Sequence, residues 1–213
     1  MRVSRTETFL QAGLLLAFVG SAAAQGLTVL QPEGPYTQAA SGMTFPLAVG
    51  DFKRDKVVRY KPDGTDESAG YNRVEPRHEI AGTVYVFPSP RLTSIGSPQN
   101  VIEDARARLC EVQFRSVQKE VTGAHPDAKL VREEEVSLVQ NGVTFVGHRA
   151  SYSLTNPVFF GRRQQASRSD ATIFCYAGGK WTVEYRFDYP DDYDAGAAIG
   201  DFIRDLSWTI RPQ

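Results

Sequence analysis

The stretch from Ser97 to Gly123 reads as one long amphipathic helix in a chain that otherwise reads mostly as strand. Ser97 offers a side-chain oxygen as N-cap. Pro98 suits the first helical position, where a missing N–H loses nothing, and Gly123 suits the left-handed residue that follows a helix. Ile102, Ala105, Leu109, Cys110, Phe114, Val117 and Val121 recur at three- and four-residue steps, while Glu103, Arg106, Glu111, Arg115 and Lys119 occupy other faces. One stripe of this helix must be buried, and the β-rich flanks make a sheet the surface available to bury it.

Residues 1 to 24 have the layout of a cleavable leader. Arg2 and Arg5 form a basic start, Leu10 to Val19 an apolar run, and Ala22-Ala23-Ala24 a small-residue cleavage site before Gln25. The apolar run is shorter than a bilayer requires and no second run of that kind follows, so no membrane span is expected. No cysteine follows the run and no twin-arginine pair precedes it, which points to ordinary unfolded export without a lipid anchor. Removing 24 of the 213 residues leaves 189, enough for one domain with a sizeable core. The leader takes Arg2, Arg5 and Glu7 with it, leaving 22 basic and 24 acidic residues and a formal net charge of −2. That near-balance gives no electrostatic case for nucleic acid or an anionic membrane as partner.

Gln25 to Gly42 mixes Gly, Pro, Gln and Ser around Leu27 to Leu30 and predicts a flexible arm with at most an edge strand. Residues 43 to 213 then predict a single domain. Its first strands are expected at Thr44 to Val49, Val57 to Tyr60, Ser68 to Tyr71 and Gly82 to Phe87, after which Pro88, Pro90 and Pro98 force an extended crossing to the long helix. After Gly123 two hairpins are expected. Asn141-Gly142 tolerates the positive φ of a type I′ turn and sets Leu138 opposite Phe145, Glu134 opposite Arg149 and Glu135 opposite His148. Gly178-Gly179, read as a two-residue loop, pairs Tyr176 with Trp181, Phe174 with Val183 and Thr172 with Tyr185, leaving Cys175 on the other face. Pro190 to Leu206 predicts a second helix with Asp191, Asp192 and Asp194 in its first turn and Ala195, Ile199, Phe202, Ile203 and Leu206 on its buried stripe; Trp208 to Ile210 predicts a closing strand.

These elements predict an α+β fold: one antiparallel sheet of about six to eight strands with a long central helix and a C-terminal helix packed on it. Burial candidates on both faces of the second hairpin favour an α/β/α sandwich. The element order from Thr44 to Ile210 is similar to the Mog1/PsbP-like fold, which implies a binding or assembly role more often than catalysis. The stretch Phe52 to Tyr71, with Arg54, Val57, Tyr60, Gly64, Asp66, Ser68 and Gly70, followed by Thr83-Val84-Tyr85-Val86-Phe87-Pro88, resembles exported proteobacterial proteins of unassigned function. Neither likeness carries a functional residue across.

Cys110 on the helix stripe and Cys175 on a strand make an even pair in an exported chain. They predict a disulfide stapling helix to sheet, with two reduced core thiols as the alternative; a redox motif is absent because no CxxC spacing occurs. His148, oriented by Glu135 across the hairpin, is the one arrangement resembling a general base, but no nucleophile motif accompanies it and a cross-strand polar pair on a half-buried sheet face is the favoured reading. Asp188, Asp191, Asp192 and Asp194 lack the spacing of a calcium loop, so no metal or other cofactor is expected. Between the hairpins, Phe159, Phe160, Arg162, Arg163 and Arg168 combine aromatic and basic groups and form the candidate surface for a partner protein or small ligand.

The sequence therefore predicts an exported, periplasmic or secreted domain with a non-enzymatic binding or accessory role, set against a hydrolase using His148 and Glu135 and against a purely structural envelope protein. Mass spectrometry of the protein recovered from a bacterial envelope is expected to find Gln25 as its first residue. An intact Met1 on the recovered protein would refute the leader.

Overall fold

Alternation of apolar residues builds a broad sheet, and the two segments with helical spacing close over it. The computed structural model describes residues 27–75, 78–93, 96–155, 158–159, 162–163 and 166–212. Its elements are β1 (Thr28–Leu30), β2 (Tyr36–Thr37), β3 (Thr44–Phe45), β4 (Ala48–Val49), β5 (Phe52–Arg59), β6 (Glu67–Arg73), β7 (Ile80–Pro88), α1 (Gln99–Ala124), β8 (Lys129–Gln140), β9 (Val143–Leu154), β10 (Val158–Phe159), β11 (Arg162–Arg163), β12 (Ser167–Ala177), β13 (Trp181–Pro190) and α2 (Gly196–Asp205). The fold is α+β. The main sheet has nine strands, more than the sequence predicts, in the order β1-β5-β6-β7-β13-β12-β9-β8 with β4 also on β5, and every pairing is antiparallel. The increase comes from the start of the chain: β1 pairs Thr28 to Leu30 with Arg59 to Val57, and β4 adds a short ladder on Phe52 and Lys53.

That pairing ties down part of the segment expected as a loose arm. Beyond it, Gln38 and Ser41 are fully buried. Gln38 Nε2 donates to the Val86 carbonyl at 3.0 Å, and the Ser41 hydroxyl donates to Gln38 Oε1. Buried polar groups of this kind hold a coil segment in place because each lost partner would leave a desolvated atom.

β7 sits mid-sheet and β8 at the far edge, so the chain must cross the intervening strands, and α1 is that crossing. Its buried residues, Cys110, Phe114, Val117 and Val121, pack on Ala150 and Tyr152 of β9 and Ala171, Ile173 and Cys175 of β12. Arg115 Nη1 and Gln118 Nε2 donate to Glu133 on β8 at 2.7 and 2.8 Å, tying the helix to the edge strand. The opposite face of the sheet carries a larger cluster. Phe174, Val183, Tyr185 and Phe187 meet Ile199, Phe202 and Ile203 of α2 there. Phe202 is the hub, its ring 4.8 Å from Phe52, 5.2 Å from Tyr71 and 5.4 Å from Phe187.

The hairpin at Asn141-Gly142 has both residues at positive φ, 53° and 76°, and pairs Leu138 with Phe145, Glu134 with Arg149 and Glu135 with His148 as the turn type requires. The second hairpin departs from its expected register. Phe174 and Thr172 face Val183 and Tyr185, but a bulge between Phe174 and Ala177 sets Ala177, not Tyr176, opposite Trp181. The extra residue throws Tyr176 into the left-handed region at φ 60°.

The helix ends also differ from expectation. Helix α1 begins after Pro98 without a side-chain cap, so Ser97 is not the N-cap, and it runs through Gly123 to Ala124, with His125 closing it by an N–H bond to the Val121 carbonyl. Pro190 completes β13 instead of opening a helix, and α2 starts only at Gly196, so Asp191, Asp192 and Asp194 precede it. Trp208 to Ile210 form no strand. They are anchored through side chains: Gln140 Oε1 accepts the Trp208 amide and Trp208 Nε1 donates to the Tyr185 hydroxyl at 2.7 Å. No helix among the described residues is long and apolar enough to cross a membrane.

Cys110 and Cys175 form a disulfide, with Cα atoms 5.8 Å apart and a sequence separation of 65. Closing a loop of that length removes enough unfolded-chain entropy to stabilise the fold by up to about 4 kcal/mol. Replacing both cysteines by alanine is expected to lower the urea-unfolding free energy by an amount of that order. No loss would show that the helix docks equally well without its tether.

Candidate functional site

The sequence-derived candidates are dispersed. Glu135 and His148 oppose each other on β8 and β9, but Glu135 is exposed and His148 turns toward α1. Its ring stacks on Phe114 at 5.2 Å and its Nδ1 lies 3.6 Å from Glu111 Oε2. His148 thereby joins helix to sheet. It borders none of the cavities described below. Phe159 pairs with Arg162, and Val158 with Arg163, in the small β10–β11 hairpin; their side chains and Phe160 lie outside the described residues. Arg168 forms an ion pair with Asp191. Asp188 is on β13, and no group of three or more His, Cys, Asp or Glu among the described residues is arranged to hold a metal ion.

The antiparallel half-sheet β5-β6-β7-β13 is left open by α1, whose contacts fall on β12 and β9. A charged layer occupies this opening. Glu184, 2 % exposed, is paired with Arg186, which also reaches Glu120 on α1 and lies over the Tyr85 ring at 5.0 Å. Burial pushes the Glu184 carboxyl up to about 7 against the opposing pull of Arg186. Burial likewise raises Asp188 and Asp66. Arg186 ties α1 to the sheet through Glu120, and neither it nor Glu184 borders the cavities described below, so the role of the pair is structural.

A different place combines concavity, strain and unpaired donors. It is built on Tyr176, whose left-handed backbone is held from three sides. Its N–H donates to the Ser89 hydroxyl at 3.0 Å, its carbonyl accepts the Gly179 N–H at 2.8 Å, and its phenol donates to the Pro90 carbonyl at 3.1 Å. Ser89 is itself joined to Thr182 at 2.8 Å, and Thr182 to Gln113 of α1 at 2.9 Å. A non-glycine residue in this conformation costs on the order of 1–3 kcal/mol and persists only where its surroundings over-determine it. Gly178 follows with φ 57°, and a Cβ there would fall 2.6 Å from the Arg211 carbonyl oxygen, so the turn beside Tyr176 admits only glycine.

Over the Tyr176 ring lies the guanidinium of Arg106, 5.2 Å from the ring centroid. The disulfide explains this contact. Arg106 is one helical turn before Cys110 and Tyr176 is next to Cys175, so the bridge that fixes the sulfurs also sets Arg106 above Tyr176.

The stacked pair separates two cavities. One, of about 500 Å³, lies between the proline-rich crossing and the hairpin and is walled by Pro88, Pro90, Leu92, Tyr176 and Trp181, with Arg91, Arg106 and Lys180 around it. The second, of about 390 Å³, is walled by Phe145, Tyr176 and Trp208. Neither is bordered by an aspartate or glutamate. Arg106 Nε and Trp181 Nε1 are shielded from water and have no hydrogen-bond acceptor, an arrangement costing about 1–3 kcal/mol per donor. Sequence reasoning passes over this site because it pairs Tyr176 with Trp181 across a regular ladder. The signals that point to it are the prolines facing a Gly-Gly loop and the two cysteines whose helical and strand neighbours the bridge brings together.

The raised carboxyls make stability pH-dependent. A carboxyl whose folded value exceeds its ordinary 4.5 keeps a proton that the unfolded chain has released, so stability falls as pH rises from about 4.5 through about 7. Chemical denaturation at pH 5 and pH 8 is expected to show the folded state weaker at pH 8, with Glu184→Gln removing up to about 3 kcal/mol of that difference. An unchanged slope in the variant would show that Glu184 stays ionised in the fold.

No protein-family model and no curated protein matches this chain.

Proposed function

We propose that this chain is an exported, non-catalytic binding domain of the cell envelope that takes a small molecule in the cleft on either side of Tyr176. The observation that carries this reading is the Arg106–Tyr176 stack, locked by the disulfide between two concave, largely apolar spaces. Ligand sites take this form: apolar and aromatic walls with a few fixed polar groups. The bridge supports an oxidising compartment, in agreement with the leader read at residues 1 to 24. The likeness in element order to the Mog1/PsbP-like fold points the same way, toward binding. With helices on both faces, an α/β/α layering gives the cleft its rigid backing.

The chain holds two tryptophans, Trp181 on one cavity and Trp208 on the other, so its intrinsic fluorescence reports on the cleft. The neutral aromatic probe N-phenyl-1-naphthylamine is expected to bind saturably and quench that emission. Thr93→Tyr, which fills the larger cavity from its exposed rim, is expected to weaken binding about tenfold or more, whereas His148→Ala leaves it unchanged. Absence of saturable binding, or equal binding by Thr93→Tyr, would remove the cleft as the site.

A further inference from the structure

Resting on that reading of the cleft, we propose that its ligand is a planar aromatic anion, with a carboxylate or sulfonate held by Arg106 and a ring system lying along Tyr176 and Trp181. The charge distribution selects the sign. Arg91, Arg106 and Lys180 border the larger cavity without an acidic residue in its wall, and no carboxylate of a described residue pairs with any of the three. A cationic ligand would meet three like charges there.

The unpaired donors select the functional group. Arg106 Nε has no acceptor, while its guanidinium already covers the Tyr176 ring face. A guanidinium stacked in this way is pre-oriented in its plane and presents its remaining N–H groups edge-on, the geometry that matches the two oxygens of a carboxylate or sulfonate. Trp181, 1 % exposed, belongs to the same wall and carries a second acceptor-less donor at Nε1. Lys180 lies over the Trp181 ring, with Nζ 5.5 Å from the centroid, so both aromatic faces at this end of the cleft are topped by a cation. An anionic group entering beside Arg106 and Lys180 meets positive charge that no carboxylate of a described residue neutralises.

The walls select the body. Tyr176 and Trp181 border the larger space, and its volume of about 500 Å³ takes a ring system of one to three fused rings. The second cavity, sharing Arg106, Tyr176 and Gly179 with the first, offers Phe145 and Trp208 to a longer ligand.

The test pairs two probes of nearly the same ring system, 8-anilinonaphthalene-1-sulfonate and the uncharged N-phenyl-1-naphthylamine, titrated into the intact disulfide-bonded protein. The sulfonate is expected to bind about tenfold or more tightly than the neutral probe. Arg106→Gln is expected to bring the affinities of the two probes within about twofold of each other. Lys180→Gln, on a turn outside the core, is the second variant and is expected to narrow the ratio of the two affinities as well; each variant is checked by its unfolding curve. If both probes bind equally and neither variant alters the sulfonate, the anion proposal is overturned and the cleft remains a neutral-ligand site. If neither probe binds, the cleft reading falls and the anion falls with it.

Discussion

Burial of β12 and β13 on both faces is the constraint on which the rest of the structure depends. In β12, Ala171, Ile173 and Cys175 face α1 while Phe174 faces α2; in β13, Val183, Tyr185 and Phe187 face α2 while Thr182 and Glu184 face the other way. A slip of one residue would exchange every one of these positions between the two sides. The pairing with β7 and β9 is therefore strongly specified from Ser167 to Phe174 and from Val183 to Asp188. Gly147 shows how tightly the strands meet: a Cβ there would fall 2.2 Å from the Ile173 carbonyl oxygen, against backbone that has no room to yield.

Where that specification ends, the candidate site begins. The bulge after Phe174 absorbs one residue at the point where the hairpin must turn, and Tyr176 leaves the ladder as a result. Its side chain reaches toward the proline-rich crossing, half-buried and packed against the edge of the cluster beneath α1. The hydrogen bonds that Tyr176 donates to Ser89 and Pro90 then fix a conformation that the local sequence alone would not choose. A strained residue held by its own turn, by the crossing and by Arg106 of α1 is stiff, and stiffness is what a binding wall needs, because ordering the site is then complete before a ligand arrives.

Much of this architecture is legible in the sequence for identifiable reasons. Asn141-Gly142 dictates a turn type, and the turn type dictates register, so the pairing of Glu135 with His148 follows from two residues. Cys110 and Cys175 lie on segments whose periodicities place both toward a buried surface, which makes their bridge readable. The failures have reasons too. Gly178-Gly179 allows more than one loop length, and the choice is made by contacts with Ile210 and Arg211, far along the chain. The start of α1 is set where the proline crossing releases the chain and not by the side chain at Ser97. His148 looks like a base beside Glu135 because the sequence shows the strand partner and hides the helix above it, where Glu111 and Phe114 take the ring. The cleft itself is invisible because its walls come from the crossing, α1, two hairpins and the closing segment, which only the tertiary fold assembles.

The long helix shows the same division between what burial fixes and what it leaves free. From Cys110 onward its apolar stripe is buried, but Ile102, Ala105 and Leu109 are only half-buried, and Val101 and Val112 are exposed. The N-terminal turns also lack a side-chain cap. Such an end has little to hold it apart from its link to the docked half, and fraying there competes with every contact it makes. The disulfide sits at the boundary between the halves, one turn from Arg106, and so extends the rigidity of the core to the part of the helix that overhangs the cleft. Without it the guanidinium would stand on the least anchored stretch of α1, and its position over Tyr176 would be one conformation among many.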